Sequence, residues 1–541
     1  MRTVPVARTK GIAHRSLSSI ALALTAVPFL AAQSHGQDAP PSLEEMAKRL
    51  EALEKRNNDL EGEVKTLREA DGNEWLSQER AAQIRELVQD TLADADSRAS
   101  LQASGMTAGW DNGFFLTSPD GRFLLQVGGL IQTRYIYGSV REVPIATGAT
   151  AAQLFWGDAE QQRGGFDMPG TELWFQGHVF GPGLTYKLKT RFSNDDAYGL
   201  STNNVKPTED GSGLLTLEDA WIRMELNSDW YFRAGQFRLP FSREELIDRQ
   251  NQLAVDRSVI NYSLSVGYSQ GLELAYVSDL FRWHAAYSDG GNDQVGGQLK
   301  VAGGTNPANR PWNMRPVEWA LTSRLEFKPY GAWNDFDAFT SAPGQDFGLM
   351  FGFGAHWQST RPDRGNQPSA PTANRGDNEW LMMTVDASVN FGGANLFGAF
   401  TWSYADAESA FFYADSQNFN VPNLSNLGAT NKWGTVVQGG FYVTPKVELF
   451  GRWELGMFSV NNENRIPLAG GLGSLYARED HLNIVTTGVN WYIDGQDVKF
   501  TADFGYALNS VGPSWFAPQA GWRVTDVRDQ WVARLMFQVG F

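Results

Sequence analysis

From Arg122 to the last residue, apolar and polar positions alternate with a period of two. In the first such segment Phe123, Leu125, Val127, Ile131, Tyr135 and Tyr137 oppose Gln126, Gln132 and Arg134. Further on, Tyr186, Leu188 and Phe192 oppose Lys187, Lys189 and Arg191, and Trp319, Leu321, Leu325 and Phe327 oppose Arg324, Glu326 and Lys328. Val385, Ala387, Val389 and Phe391 oppose Asp386, Ser388 and Asn390, and Val498, Phe500, Ala502, Phe504 and Tyr506 oppose Lys499, Thr501 and Asp503. The chain ends in the same pattern, with Trp531, Ala533, Leu535, Phe537, Val539 and Phe541 on one face. Connections alternate in length. Short turns are expected at 181–183, 227–229, 278–279, 392–393, 444–445 and 494–496. Long polar segments fall near 138–170, 194–215, 239–269, 289–316, 358–378, 405–432, 457–481 and 508–527. Only the connection at 328–346 is too long for a tight turn in its place. Counting pairs predicts an all-β fold, a transmembrane antiparallel β-barrel of about 16 strands. A soluble propeller has no reason to alternate loop lengths in this way.

The first hundred residues have other periods. A basic start, an apolar run at 20–32 and small residues near Ala32, Ser34 and Gly36 predict a secretory signal over 1–36. In 37–70, Leu43, Leu50, Asn57 and Val64 fall at heptad a positions and Met46, Leu53, Leu60 and Leu67 at d. Charged e and g neighbours complete an α-helical coiled-coil segment, which more often pairs with copies of itself than with its own barrel. Gly72 and Asn73 interrupt it. A second amphipathic helix is expected over 75–92, within a helical and linker segment at 71–119, ahead of a barrel domain at 120–541.

Composition agrees with strands that are apolar on one face. The 541 residues include 56 Gly, 19 Trp, 16 Tyr and 33 Phe, with a mean hydropathy of −0.35. No stretch beyond the first thirty residues is long and apolar enough for a spanning helix, so a membrane form must be a closed barrel, in which every backbone group is paired. There is no Cys, which removes disulfides and thiolate metal sites. The formal charge of −16 disfavours nucleic acid as a partner.

No catalytic constellation, cofactor motif or metal-ligand spacing stands out, so no enzymatic step is expected. The six His are scattered, and His284, between Trp283 and Ala285, is expected to face a lumen. Glycine pairs such as Gly128-Gly129 have no helix opening behind them and mark places of close packing. The polar faces supply charge instead. Arg134, Lys187, Lys189, Arg191, Arg223, Arg324 and Arg534 are expected to line the lumen, where they could replace part of an anion's hydration. Asp219, Glu225, Glu273, Glu326, Asp386 and Asp503 share that face, so simple cross-strand pairing is the competing reading.

One stretch breaks the rhythm. Residues 231–238 form a strand, Pro240 ends it, and a charged segment follows that is too polar for a core and too long for a hairpin turn. Its Gly235-Gln236-Phe237, Pro240-Phe241-Ser242, Glu244-Glu245 and Asp256-Arg257-Ser258 resemble, in this order, the long third loop of the phosphate-selective porin O/P family. The likeness extends to Asp120-Gly121-Arg122-Phe123, to the stretch 173–195, to the LEDAWIR strand at 217–223 and to the terminal strand. It implies a homotrimeric sixteen-stranded channel among outer-membrane lipids, passing small hydrophilic solutes, with anions such as phosphate as candidates. It also implies an inward loop carrying Glu244, Glu245, Arg249, Asp256 and Arg257 at the constriction. The two acids have no catalytic partner and are expected to brace the loop. Two positions depart from the family and leave its named substrate open. Phe166 to Thr171 replaces an Arg-rich strand entry, and Gln250, beside Arg249, stands where a Lys is usual. The terminal Phe541 resembles the signal read by the barrel assembly machinery, and the coiled coil would suit contact with the cell wall or a periplasmic layer.

Overall fold

The structure, a computed structural model, describes residues 55, 105–110, 113–140, 162–193, 214–291, 294–295, 299–300, 317–360, 378–409, 425–460, 479–515, 517–523 and 528–541. The chain divides into two compact units, one of them residues 3–105; the barrel lies in the other, which holds residues 106–541. The expected signal, coiled coil and second helix lie outside the described residues, Lys55 excepted, as do most of the long polar loops.

A hairpin of β1 (Thr107–Trp110) and β2 (Phe114–Thr117) precedes the barrel wall. The wall begins with β3 (Leu124–Ser139), β4 (Gln162–Asp167), β5 (Thr171–His178), β6 (Leu184–Ser193), β7 (Leu214–Glu225), β8 (Trp230–Arg238), β9 (Tyr268–Val277) and β10 (Phe281–Ser288). After a small separate hairpin, β11 (Gln294–Val295) and β12 (Leu299–Lys300), it resumes with β13 (Val317–Tyr330), β14 (Gly348–Thr360), β15 (Asn378–Asn390), β16 (Ala394–Ser409) and β17 (Ser425–Thr444). It ends with β18 (Val447–Val460), β19 (Glu479–Asp494), β20 (Val498–Ala507) and β21 (Trp531–Gly540).

Each wall strand pairs antiparallel with the next, and β21 pairs back onto β3 from Trp531↔Ser139 to Gly540↔Leu130, which closes the ring. Strands β4 and β5 both pair with β3 and make one interrupted stave, so the described residues form a closed barrel of sixteen staves. The break falls at Met168-Pro169-Gly170. Pro169 has no amide proton for the ladder, and a Cβ on Gly170 would lie 1.9 Å from Gln132 Oε1.

The alternation read from the sequence becomes an inverted burial pattern. Leu321, Leu325, Phe327, Val385, Phe391, Phe504, Leu535 and Phe537 are exposed on the outer face. Their neighbours Arg324, Glu326, Asp386, Lys499, Asp503 and Arg534 are buried inside. An apolar exterior around a polar interior, with every stave paired to a neighbour on each side, is what a bilayer requires. Gly128 and Gly129 do mark close packing: a Cβ on the first would lie 2.5 Å from Trp174 Nε1, and on the second 2.5 Å from Phe541 Cζ. The Phe541 backbone exchanges two hydrogen bonds with Gly129, of 2.8 and 3.0 Å, and so completes the seam.

Among the described residues, three connections turn into the barrel. The loop at 239–267 carries two short helices, α1 (Arg243–Leu246) and α2 (Val259–Ser263), and buries Leu239, Phe241, Ile247, Leu253, Val259, Ile260, Leu264 and Val266. Its polarity had argued against a core position. It is nevertheless buried, charged residues included, because nearly every charge finds a partner inside. The connection at 508–530 brings Trp515 and Trp522 in from the long-loop end, against the same apolar cluster. At the opposite end, the overlong connection at 331–347 is an ordered segment with a 3-10 turn at Trp333–Phe336, and it buries Phe336 and Phe339. Strands β17 and β18 are thinned to admit the loop. Gly434 and Gly456 face each other in register. A Cβ there would come within 2.6 Å of Ile260 Cδ1 and 2.5 Å of Trp515 Cη2, respectively.

Candidate functional site

The seven basic residues expected on the lumen face all point inward, and they fall into two groups. Arg134, Arg324 and Arg534 anchor the inner loop. Arg134 Nη1 donates to both oxygens of Asp256, at 2.5 and 2.6 Å, while Nε donates to Asp167 at 2.8 Å. Arg534 grips Asp503 at 2.7 and 3.1 Å and reaches Asp256 Oδ2 at 3.3 Å. One loop carboxylate therefore sits between two wall arginines 400 positions apart in sequence, Arg134 and Arg534. Arg452 donates to the Asp256 carbonyl at 2.8 Å, and Asp503 accepts from the Val255 amide at 3.0 Å. Across the bore, Arg324 is held by Asp386 and Glu326 and donates to the Phe241 carbonyl at 2.9 Å. The loop spans the barrel from β13 to β21.

The remaining cations line the wall formed by β5 to β8. Lys189 is buried between Glu172 at 2.5 Å and Glu218 at 3.4 Å. Lys187, Arg191 and Arg223 keep side-chain exposures of 21, 11 and 20%. Each has an acidic neighbour: Asp219 is 3.7 Å from Lys187, Glu218 is 3.3 Å from Arg191 and Glu225 is 3.4 Å from Arg223. The loop faces this wall with Arg249, 3.1 Å from Glu172, and with Asp248, 41% exposed and 3.4 Å from Arg238. Among the described residues, the polar interior is thus open along this wall.

Within the loop, Glu244 accepts from the Ser258 amide and hydroxyl, both at 2.6 Å, and Glu245 accepts from Asn261 Nδ2 at 2.7 Å. Arg257 donates to the Glu244 carbonyl at 3.2 Å and the Ile247 carbonyl at 2.9 Å. Glu245, Glu244 and Arg257 therefore hold α1 against α2. Burial raises the pKa of Glu245, but Arg257 and Arg238 reverse that and leave it below the usual carboxylate range.

Sequence reasoning missed Glu172, Glu218, Asp248 and Arg238, whose partners lie on neighbouring strands or where the loop folds back on the wall, and it passed over Arg243. The buried Arg243 guanidinium has no carboxylate within ion-pair distance among the described residues. It donates to the Phe336 carbonyl at 2.6 Å and lies over the rings of Phe336 and Phe339, at 5.6 and 5.2 Å. Burial lowers its pKa to about 10, so it stays charged at neutral pH. His284 faces the lumen as expected and contacts Tyr231 and Glu273. No cluster able to hold a metal ion occurs among the described residues.

A closed antiparallel barrel with an apolar exterior, a charged interior and an inward loop defines a porin-like protein of the outer membrane. The model of a family described as phosphate-selective porin O and P matches residues 152–311, the part of the chain that contains the inner loop. Among solved structures, OmpT of Vibrio cholerae is similar at 11% identity and a TM-score of 0.42, over 78% of this chain and 98% of that one. OmpF of Salmonella typhi, solved in complex with daunomycin, is similar at 13% identity and a TM-score of 0.43, over 80% and 100%. The outer membrane channel DcaP of Acinetobacter baumannii is similar at 11% identity and a TM-score of 0.42, over 77% and 97%. No curated protein matches the chain.

Proposed function

We propose that the protein is a passive diffusion channel for small hydrophilic solutes, anions such as phosphate among them, with no chemical step. The observation that carries this is the one-sided opening of the interior. Lumen groups from β13 to β21 are sealed by the loop, whereas Lys187, Arg191 and Arg223, with Arg249 opposite, remain accessible. A solute passing there would exchange hydration for guanidinium and ammonium groups. Asp219 and Asp248 share the passage and temper its preference for anions. A homotrimer in outer-membrane lipid, assembled by the barrel machinery through Phe541, fits this reading.

A second reading is a structural tether, using the coiled-coil stalk toward the cell wall or a periplasmic layer, with a barrel that conducts little. The apolar cluster filling the bore around Phe237, Ile260, Trp515 and Trp522 favours it. Single-channel recording in planar bilayers separates the two. Conductance steps with an anion-shifted reversal potential, reduced by added phosphate, are the expected result. Steps with weak or cation preference would keep the channel and remove phosphate, and silent, well-folded barrels would favour the tether.

A further inference from the structure

The connection at 331–347 lies at the end where the other described turns are tight, and it is folded inward beneath the loop. It is fixed to the wall by Asn390 Nδ2, which donates to the Asp335 carbonyl at 2.8 Å, and by Thr340, which reaches Glu448 at 3.0 Å and Tyr442 at 2.9 Å. It is fixed to its neighbouring turns by Trp333 Nε1, donating to the Ser278 carbonyl at 2.8 Å, and by the Gly393 amide, donating to the Ser341 carbonyl at 3.0 Å. Its inner rim meets the loop at three polar points. Arg243 donates to the Phe336 carbonyl at 2.6 Å, the Phe339 amide donates to the Asn251 carbonyl at 3.1 Å, and Asn251 Nδ2 donates to the Asp337 carbonyl at 3.1 Å. Phe339 then packs with Ile247, Leu253 and Ala254 of the loop and with Phe397 and Phe450 of the wall.

We propose that this segment is a buttress that sets the position of the inner loop, with Arg243 as the positioning residue that joins the two, and that it thereby fixes the size of the passage along β5 to β8. The geometry favours a fixed support. Apart from Trp333, which reaches back to the β9–β10 turn, the segment stands under β13 to β18, across from the accessible wall, so it is out of the solute's way and presses on the loop from behind. A buried guanidinium with no ion-pair partner among the described residues is a costly group to keep. Its hydrogen bond and two ring contacts all go to the buttress, so losing the buttress leaves it stranded. The inference rests on the channel reading.

The test uses the full-length protein in planar bilayers, recording unit conductance, open-channel noise and the largest neutral polymer that enters. Arg243→Ala should raise all three while the barrel stays folded and heat-resistant on gels, and Phe339→Ala should do the same if the first variant does not insert. The native chain has no Cys, so Asn251→Cys with Asp337→Cys, joined by a short thiol-reactive linker, ties loop to buttress with no competing thiol. That link should leave the otherwise native channel unchanged and return the Arg243→Ala channel to native behaviour. Folded variants with native conductance, noise and polymer cut-off would overturn the proposal. So would loss of conductance on linking, which would make the segment a gate that has to move. A native protein with no conductance at all would remove the channel reading, and the buttress with it.

Discussion

Asp256 carries more of the architecture than any other loop side chain. Its two oxygens are shared by Arg134 and Arg534, and replacing it with Asn leaves two buried guanidiniums facing a neutral amide. Removing one partner of a buried pair costs roughly 3–5 kcal/mol. Asp256→Asn should therefore lower the urea midpoint and expose the loop to protease at long-loop openings. Lys187 is the contrasting case. It is partly exposed and 3.7 Å from its acid, so Lys187→Ala should change stability by less than about 1 kcal/mol while shifting the reversal potential toward cations. The sequence placed Lys187, Arg134 and Arg534 on the lumen face by alternation alone. It could not separate them, because the difference lies in Asp256, 122 residues from Arg134 and 278 from Arg534. Two apolar residues interrupt the polar face of β3. Leu130 and Ile136 point inward, Leu130 buried and Ile136 packed against the apolar cluster that the loop and the 508–530 segment bring in.

At the scale of elements, strands were legible and insertions were not. A wall strand declares itself through a period of two because lipid and lumen demand opposite chemistry on its two faces. The inner loop has no such period, and its composition suggested solvent, whereas its partners on strands all around the ring, from β3 and β5 to β13, β18, β20 and β21, make it an interior element. The connection at 331–347 announced itself by length, but nothing local showed that Phe336 and Phe339 turn inward. The glycines of β17 and β18 are the trace of the loop left in the wall. Gly456→Val would set a side chain within 2.5 Å of the position of Trp515, and overpacking of this kind costs about 1–3 kcal/mol. The expected result is a lower urea midpoint together with faster proteolysis near 508–523.

For the whole molecule, the exterior is the part that chemistry dictates most simply. Val385 stands midway along β15 and is half exposed on the outer face. An arginine at mid-bilayer depth costs on the order of 2–4 kcal/mol. Val385→Arg should therefore reduce folding stability in liposomes by about that amount, and it should matter far less for the same barrel in detergent.

The seam between β21 and β3 has a consequence in time. Its partners are separated by almost the whole barrel sequence, from Leu130 to Gly540, so the ring cannot close until the last strand has been delivered. Until then the chain has two unpaired edges, and such edges invite pairing with other chains. The segment at 508–530 precedes β21, and Gln519 and Ala520 within it bond to arginines on both sides of the seam. The interior must therefore be filled before or as the wall shuts. The rate-limiting step of assembly is expected to be this late, long-range pairing, with the contents of the bore already in place.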